Sequence, residues 1–215
     1  MEELYKRVLV ALQNEDKEQA VSLSIHALKE KRVSVYDLYE MVLVPALNHV
    51  VDEYRKDEEL IWREHVRSAI IRTIIESAYP YVLEEKKKAG INKGKVIVMC
   101  PEYEDHELGA KMVSDFFNIE GYDSTFVGAR TPENTIVQAI NIIRPRFLCI
   151  SVTNYYHLVS VKKTIESIKE KIQDDLTFVV GGRAFDGNPE SYTVAGADVL
   201  LKSYEDIRNL YKEEM

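Results

Sequence analysis

The chain has 215 residues, of which 46% are hydrophobic and 30% charged, and its formal net charge is −8. This composition is typical of a soluble globular protein, and the acidic balance argues against direct binding of nucleic acid, which needs clustered positive charge. No apolar run reaches the roughly 18 residues of a membrane span, and the acidic start at residues 1–5 does not resemble a signal peptide. Together with only two cysteines, these features predict a protein of the reducing cytoplasm.

The pattern of apolar residues over residues 1–88 predicts a helical domain. Apolar residues recur at helical spacing in four segments, at about residues 4–12, 17–30, 34–50 and 58–85. Ser34 fits the N-cap of the third segment, and Pro45 inside that segment predicts a kink or a break. Four helices joined by short links indicate a small bundle.

The alternation of patterns over residues 89–215 predicts an α/β domain. A polar segment with two glycines at residues 86–94 marks the predicted boundary. Strand and helix patterns then alternate, which indicates a parallel five-stranded sheet with helices on both faces. The predicted strands are Lys95–Cys100, Asp123–Val127, Phe147–Ser151, Phe178–Val180 and Ala197–Leu201. The predicted helices are Leu108–Ile119, Glu133–Ile143, Leu158–Ile172 and Tyr204–Glu213.

The loops that follow parallel strands meet at one edge of the sheet, where α/β proteins bind ligands. His106 lies in the first such loop. Glu104 could hold one ring nitrogen of this histidine and so strengthen the other as a metal ligand, and Gly109 would let a bulky ligand approach the backbone. The next three loops carry small or polar residues, namely Gly128 to Pro132, Ser151 to Thr153, and Gly181-Gly182.

These loops resemble the cobalamin-binding domain family over Lys95–Glu213. Glu104-x-His106-x-x-Gly109 is similar to the family signature Asp-x-His-x-x-Gly, with Glu in place of Asp. The family's Gly-x-x-x-Pro turn, its Ser-x-Thr and its Gly-Gly follow in order. The matching residues are Gly128 to Pro132, Ser151 to Thr153, and Gly181-Gly182.

The resemblance implies a flavodoxin-like (Rossmann-like) domain that binds cobalamin with its lower base displaced. His106 would then be the lower ligand to cobalt, and Glu104 would orient it. The nucleotide tail would occupy a slot lined by Ser151, Thr153, Gly181 and Gly182. Asp105, Gly109, Gly128, Thr131 and Pro132 would border the cofactor as well.

Simpler roles remain open for several of these residues. Of the two adjacent acids, the spacing selects Glu104 over Asp105, and its extra methylene predicts a hydrogen bond to His106 that is displaced or made through water. Ser151 and Thr153 could be ordinary strand-end residues, and the glycines could form turns without a ligand. The sequence suggests no partner for His157, and Cys100 and Cys149 are expected to be buried apolar thiols.

The helical domain also resembles the family, whose four-helix cap covers the upper face of the corrin. In the sensor-like branch the cap carries Trp, nine residues and then Glu-His. This chain has Glu64-His65, with Tyr54 at the Trp position. Ion pairing within the helix is an open alternative for Glu64 and His65, and packing in the bundle is one for Tyr54.

Two functions follow from the resemblance. Glu64-His65, Leu108 after the histidine, and the Gly-Gly-Arg-Ala-Phe segment favour a cobalamin-dependent sensor or regulatory module without independent enzyme activity. The alternative is a corrinoid methyl carrier of a methyltransferase system, although such carriers usually read Asp-Ile-Gly after the histidine. A domain that has lost the cofactor is the third option. The expected partners are cobalamin, with an adenosyl or methyl upper ligand, and a regulator or methyltransferase protein, and self-association is open.

Overall fold

The computed structural model describes residues 1–54, 61–172, 175–188 and 190–210, with the side chains of residues 50–54 left out. The chain divides into two compact units, Met1–Glu85 and Lys86–Met215. Within the described residues, no helix combines the length and apolar character needed to cross a membrane.

The first unit is helical, as the sequence predicts. Its elements are α1 (Glu2–Gln13), α2 (Lys17–Lys29), α3 (Val35–Leu38), a π-helical turn (Tyr39–Leu43), α4 (Val44–Tyr54) and α5 (Ile61–Ala89). Ser34 and Asp37 form a capping box at the start of α3, which confirms the predicted N-cap. The predicted start of the fourth helix, at Glu58, lies outside the described residues.

The helix does not break at Pro45, so that alternative of the prediction is wrong. Helical structure continues from α3 through the π-helical turn into α4, and the Val44 N–H donates to the Tyr39 carbonyl, five residues back. Proline has no N–H, and in an α-helix its ring meets the carbonyl four residues earlier. The wider turn lies just before Pro45 and lets the helix continue past it.

The second unit is a parallel sheet flanked by helices. Its strands are β1 (Lys95–Pro101), β2 (Asp123–Thr131), β3 (Phe147–Ser151), β4 (Thr177–Gly181) and β5 (Val199–Leu201). Its helices are α6 (Leu108–Ile119), α7 (Glu133–Ile143), α8 (Leu158–Lys171), α9 (Ser191–Val194) and α10 (Tyr204–Asn209). All strand pairs are parallel and the order is β2-β1-β3-β4-β5, which is the flavodoxin-like order. The predicted fold class is therefore confirmed.

Among the boundaries that differ from the predictions, two concern the end of β2 and the predicted linker. Strand β2 runs to Thr131, four residues past Val127, because pairing with β1 resumes after shifts in register opposite Met99. Gly128 and Arg130, with φ of 103° and 50°, produce this irregular end. Helix α5 extends to Ala89, so the first part of the predicted linker is helical, and the Lys86 ammonium donates to Asn118 Oδ1 at 2.9 Å.

Candidate functional site

The loop between β1 and α6 presents His106 at the carboxyl edge of the sheet. Its turn is closed by the Glu104 N–H, which donates to the Pro101 carbonyl at 2.9 Å. The thiol of Cys100, at the end of β1, contacts the His106 carbonyl at 3.6 Å. The His106 side chain is 64% exposed although its neighbour Glu104 is fully buried, so the ring stands at the surface on a fixed support.

The Glu104 carboxylate joins the first and third strand-end loops. Its Oε1 accepts from the His106 backbone N–H at 3.1 Å and lies 2.5 Å from His106 Nδ1. Its Oε2 accepts from the backbone N–H groups of Thr153 at 2.9 Å and Asn154 at 3.0 Å, and lies 3.2 Å from His157 Nδ1. Five nitrogen atoms from two distant segments therefore surround one buried carboxylate.

These contacts decide the charge of Glu104 and the tautomer of His106. Burial alone would raise the pKa of the Glu104 carboxyl, but hydrogen bonds from the His106 side chain and from three backbone N–H groups outweigh it and hold that pKa far below its usual range. An ionised carboxylate can only accept hydrogen bonds, so Nδ1 of His106 carries its hydrogen. In the neutral ring, the lone pair then lies on Nε2, the nitrogen that could bind a metal.

The hydrogen bond between Glu104 and His106 is direct, and the expectation of a displaced or water-mediated bond was wrong. The extra methylene of glutamate does not push the carboxylate away from the ring. It carries the second oxygen across to the loop after β3, where Thr153 and Asn154 donate their backbone N–H groups. Thr153 thus reaches this carboxylate through its main chain, and Ser151 pairs with Gly181 within the sheet.

His157 is a partner of the site that sequence reasoning missed. Asn154 caps a short 3₁₀ turn, Tyr155–His157, and its side chain accepts from the Tyr156 N–H at 3.1 Å. This turn brings the imidazole of His157 back to Glu104. An asparagine in the loop after β3, at a possible cap position, was the signal that could have indicated the turn, but the contact itself spans 53 residues.

We expect His157→Phe to lower the free energy of unfolding of the cofactor-free protein by about 1 kcal/mol, since Glu104 loses one of its donors. His157→Gln keeps an N–H donor and should recover most of that loss. Urea denaturation at neutral pH measures both variants. The exposed His26→Phe serves as the control and should stay within about 0.5 kcal/mol of wild type. Equal losses in the Phe and Gln variants would contradict the hydrogen bond.

The irregular end of β2 is attached to the His106 loop by polar contacts. Asp105 and Arg130 form an exposed ion pair, with Nη2 donating to Oδ2 at 2.8 Å. The Ala129 N–H donates to Glu107 Oε2 at 2.8 Å, and the Arg130 N–H to the Glu104 carbonyl at 3.2 Å. Glu107 is a second residue that sequence reasoning did not select.

The predicted cofactor residues on this segment have local roles in the structure. Thr131 is buried, and its hydroxyl donates to the Gly128 carbonyl at 3.1 Å. A Cβ on Gly128 would lie 3.2 Å from Glu107 Oε2. Pro132 occupies the N-cap of α7.

Close packing of strand ends accounts for the glycine pair at the end of β4, Gly181-Gly182. A Cβ on Gly182 would lie 2.4 Å from the Val152 carbonyl oxygen, and one on Gly181 would lie 3.0 Å from that of Leu201. Gly182 also has φ of 103° and ψ of 167°, a conformation that is essentially restricted to glycine. Both glycines are therefore explained by the backbone that surrounds them.

Glu64 and His65, two of the predicted residues of the helical unit, have partners on their own helix. Glu64 Oε1 accepts from the Ser68 hydroxyl at 2.5 Å, and Glu64 Oε2 lies 3.5 Å from Nε2 of His65. These contacts agree with the alternative of pairing within the helix. Tyr54 ends α4, but its side chain lies outside the described part of the chain.

No group of three or more His, Cys, Asp or Glu side chains in the described ranges is arranged to hold a metal ion. A metal that already sits in a macrocycle needs only one further protein ligand. The single imidazole of His106, with its tautomer fixed, has the donor chemistry for that case.

Both units resemble known families and proteins. Residues 94–209 match a family described as B12 binding domain, and residues 4–78 match a second family of the same description. The trimethylamine corrinoid protein 1 of Methanosarcina acetivorans is 23% identical over 209 residues, which cover 96% of this chain and 94% of that protein.

Two solved structures share the fold. The monomethylamine corrinoid protein of Methanosarcina barkeri superposes with a TM-score of 0.83 at 18% identity, over 100% of this chain and 99% of that one. A chain of the methanol:cobalamin methyltransferase complex of Methanosarcina barkeri gives a TM-score of 0.52 at 18% identity, over 99% of this chain and 79% of the other.

Proposed function

The chain belongs to the B12-binding domain family, and from this premise we propose that it is a corrinoid protein that carries a methyl group between methyltransferases. Its cofactor is cobalamin. The observation that carries the proposal is the end-to-end likeness to a trimethylamine corrinoid protein, which covers both units in one alignment. On this proposal residues 1–88 form the cap, residues 89–215 hold the cofactor, and the carried upper ligand is methyl.

The sensor function that the sequence ranked first is not supported by the relatives, and the carrier alternative fits them better. The residues that favoured a sensor also have local explanations. Leu108 is a buried residue that begins α6, and Glu64 is engaged by Ser68 and His65. These local roles account for Leu108 and Glu64 without a sensor function.

The residues at the sheet edge fit the cofactor. His106 would be the lower ligand through Nε2, because Glu104 holds Nδ1. Gly109, in the first turn of α6, adds open space nearby, since a Cβ there would meet no atom within 4 Å. A large planar group could approach the histidine over this glycine without displacing protein atoms.

When bound, cobalamin would supply a cobalt centre able to carry a methyl group. The chain's own residues hold and release that centre. When the imidazole of His106 is not bound to metal, the hydrogen bond from its Nδ1 to Glu104 keeps the ring in place. The ring can therefore return to the same position. Such a support would hold the ring ready to ligate through Nε2.

Gly109→Ala should separate stability from cofactor binding. In the cofactor-free protein we expect a gain of about 0.5 kcal/mol in the free energy of unfolding, because alanine is the better helix former and the site has room for its methyl group. Cobalamin affinity should fall, because the methyl group occupies space that the cofactor needs. Urea denaturation and spectroscopic titration measure the two effects. Tighter cofactor binding would contradict this use of the space.

Methyl transfer tests the proposed function. The reduced cobalamin-loaded protein would be incubated with isotopically labelled trimethylamine, monomethylamine or methanol and the matching purified methyltransferase from Methanosarcina barkeri. We expect label to reach the protein-bound cofactor with at least one pair, and only in the presence of the enzyme. The His106→Ala variant, loaded in the same way, is the control for the lower ligand.

The opposite outcome would favour the sensor. In that case no enzyme methylates the protein, and illumination of the adenosylcobalamin-loaded form changes its oligomeric state and the hydrogen exchange of residues 1–88. The partner would then be a regulator instead of a methyltransferase. Size-exclusion chromatography in darkness and after light separates these results.

A further inference from the structure

Three tyrosines stand exposed at the same sheet edge as His106. Tyr103 is 66% exposed, Tyr155 64% and Tyr156 85%. Most large aromatic side chains of a folded protein are mainly buried, so three in the two loops that meet at one carboxylate are unusual. The hydrogen bonds of Glu104 and His106 do not explain why these rings are exposed.

The Glu104 contacts fix the positions of all three. Tyr103 directly precedes Glu104, whose N–H closes the turn on Pro101. Tyr155 and Tyr156 directly follow Asn154, which donates to Glu104 and accepts from the Tyr156 N–H. The rings of Tyr155 and Tyr156 lie 6.4 Å apart at 72°. The residue that orients His106 therefore also fixes the backbone that carries these rings.

We propose that Tyr103, Tyr155 and Tyr156 form a tyrosine platform that the corrin of cobalamin covers when His106 binds the cobalt. The inference rests on the proposed role of His106 as lower ligand. A corrin has apolar faces and amide groups along its rim. A tyrosine suits such a ligand, because its ring can pack on the apolar part while its hydroxyl bonds to an amide or to water. Loss of exposed aromatic area then contributes to binding.

Affinity measurements test the tyrosine platform. Cobalamin would be titrated into wild type and the double variant Tyr155→Ala/Tyr156→Ala, with binding followed in the visible spectrum. We expect the dissociation constant of the double variant to rise at least about tenfold, because two ring contacts are lost. The Tyr155→Phe/Tyr156→Phe variant keeps the rings and should bind within about threefold of wild type, since only the hydroxyl contacts are lost.

The chain offers a matched control. Ile142 is 82% exposed near the end of α7, next to Ile143, whose carbonyl accepts from Lys95 at the start of β1. It therefore lies at the opposite edge of the same sheet. Ile142→Ala removes an exposed apolar side chain there and should leave the affinity unchanged. Circular dichroism and urea denaturation check that every variant is folded.

Chemical protection gives a readout that a purely structural role would not change. Tetranitromethane nitrates exposed tyrosines, and peptide mass spectrometry locates the product. We expect Tyr103, Tyr155 and Tyr156 to react in the cofactor-free protein and to be protected after cobalamin is bound.

The outcomes separate the two hypotheses. If wild type retains no cobalamin, the role of His106 fails and the tyrosine platform falls with it. If wild type binds cobalamin but the tyrosines still react and the Ala variant binds equally well, the platform alone is overturned. Protection that requires an added methyltransferase would assign the surface to a protein partner and would also overturn it.

Discussion

We expect the Glu104→Gln variant of the cofactor-free protein to unfold with a free energy about 3 kcal/mol below that of wild type, since a fully buried, hydrogen-bonded carboxylate is replaced by an amide. The amide keeps one acceptor oxygen. Its NH₂ group, however, would face N–H donors, which in the wild type donate to a carboxylate oxygen. Half-buried N–H groups left without an acceptor account for the loss. Urea denaturation at pH 7, followed by circular dichroism, measures it.

Glu102, an exposed glutamate near Glu104, supplies a matched control. Glu102→Gln removes the same charge two residues away, where the side chain is exposed, and should change stability by less than about 0.5 kcal/mol. Glu104→Asp should give an intermediate loss, because a shorter side chain cannot reach both the His106 loop and the Thr153 backbone. Equal stability of the Glu104→Gln and Glu102→Gln variants would contradict a stabilising role for the hydrogen bonds that Glu104 accepts.

The effect of Glu104 depends on pH. The folded protein holds the pKa of this carboxyl below its usual range, whereas in the unfolded chain it is near 4.3, the usual value for glutamate. The stability that Glu104 contributes is therefore fully present above about pH 5 and is lost as the pH falls through the lowered folded value. The gap between wild type and Glu104→Gln should narrow between pH 5 and about pH 3. A constant gap would indicate a carboxyl that does not titrate differently on unfolding.

We expect Gly182→Ala to cost about 3 kcal/mol or more, because the alanine would combine an unfavourable backbone conformation with a steric clash. Its Cβ would lie 2.4 Å from the carbonyl oxygen of Val152 and 3.0 Å from the nitrogen of the same residue. These are backbone atoms beside the Glu104-binding loop, so neither side of the contact can yield by changing a rotamer.

Gly187→Ala is the control for this prediction. A Cβ on Gly187 would meet nothing within 4 Å, and its φ is not among the positive values of the described glycines. Thermal denaturation should place this variant within about 0.5 kcal/mol of wild type. If Gly182→Ala were as stable as Gly187→Ala, the glycine pair would have to be explained by a ligand instead of by packing.

The sheet could be predicted because a buried strand such as β1 is a continuous run of apolar residues. In β1 only Lys95 is exposed, and such continuous burial in a parallel sheet produces an apolar run that is visible in the sequence. The end of β2 could not be predicted in the same way. Gly128 interrupts the apolar pattern, which indicates a loop, and pairing with Pro101 at Thr131 depends on the neighbouring strand instead of on local residues.

The site could be predicted only in part. Only Asp105 lies between Glu104 and His106, so local spacing suggested their contact. His157 and the amides of Thr153 and Asn154 lie about fifty positions further along the chain, as the separations of 49, 50 and 53 residues show. Their convergence on one carboxylate is a product of the strand order. A single sequence shows which residues are capable of donating hydrogen bonds, but not how the turn after β3 directs them.

The burial of both cysteines has a practical consequence for labelling. Cys100 and Cys149 are the two cysteines of the chain, and both are buried. Burial raises the pKa of the Cys149 thiol to about 12, and burial together with the charges of Glu104 and Glu107 raises that of Cys100. Because maleimides react with thiolates, a cysteine introduced at the exposed Ile142 would react far faster than either native thiol. Fluorescent or spin probes could therefore be attached to the native background without first removing any cysteine.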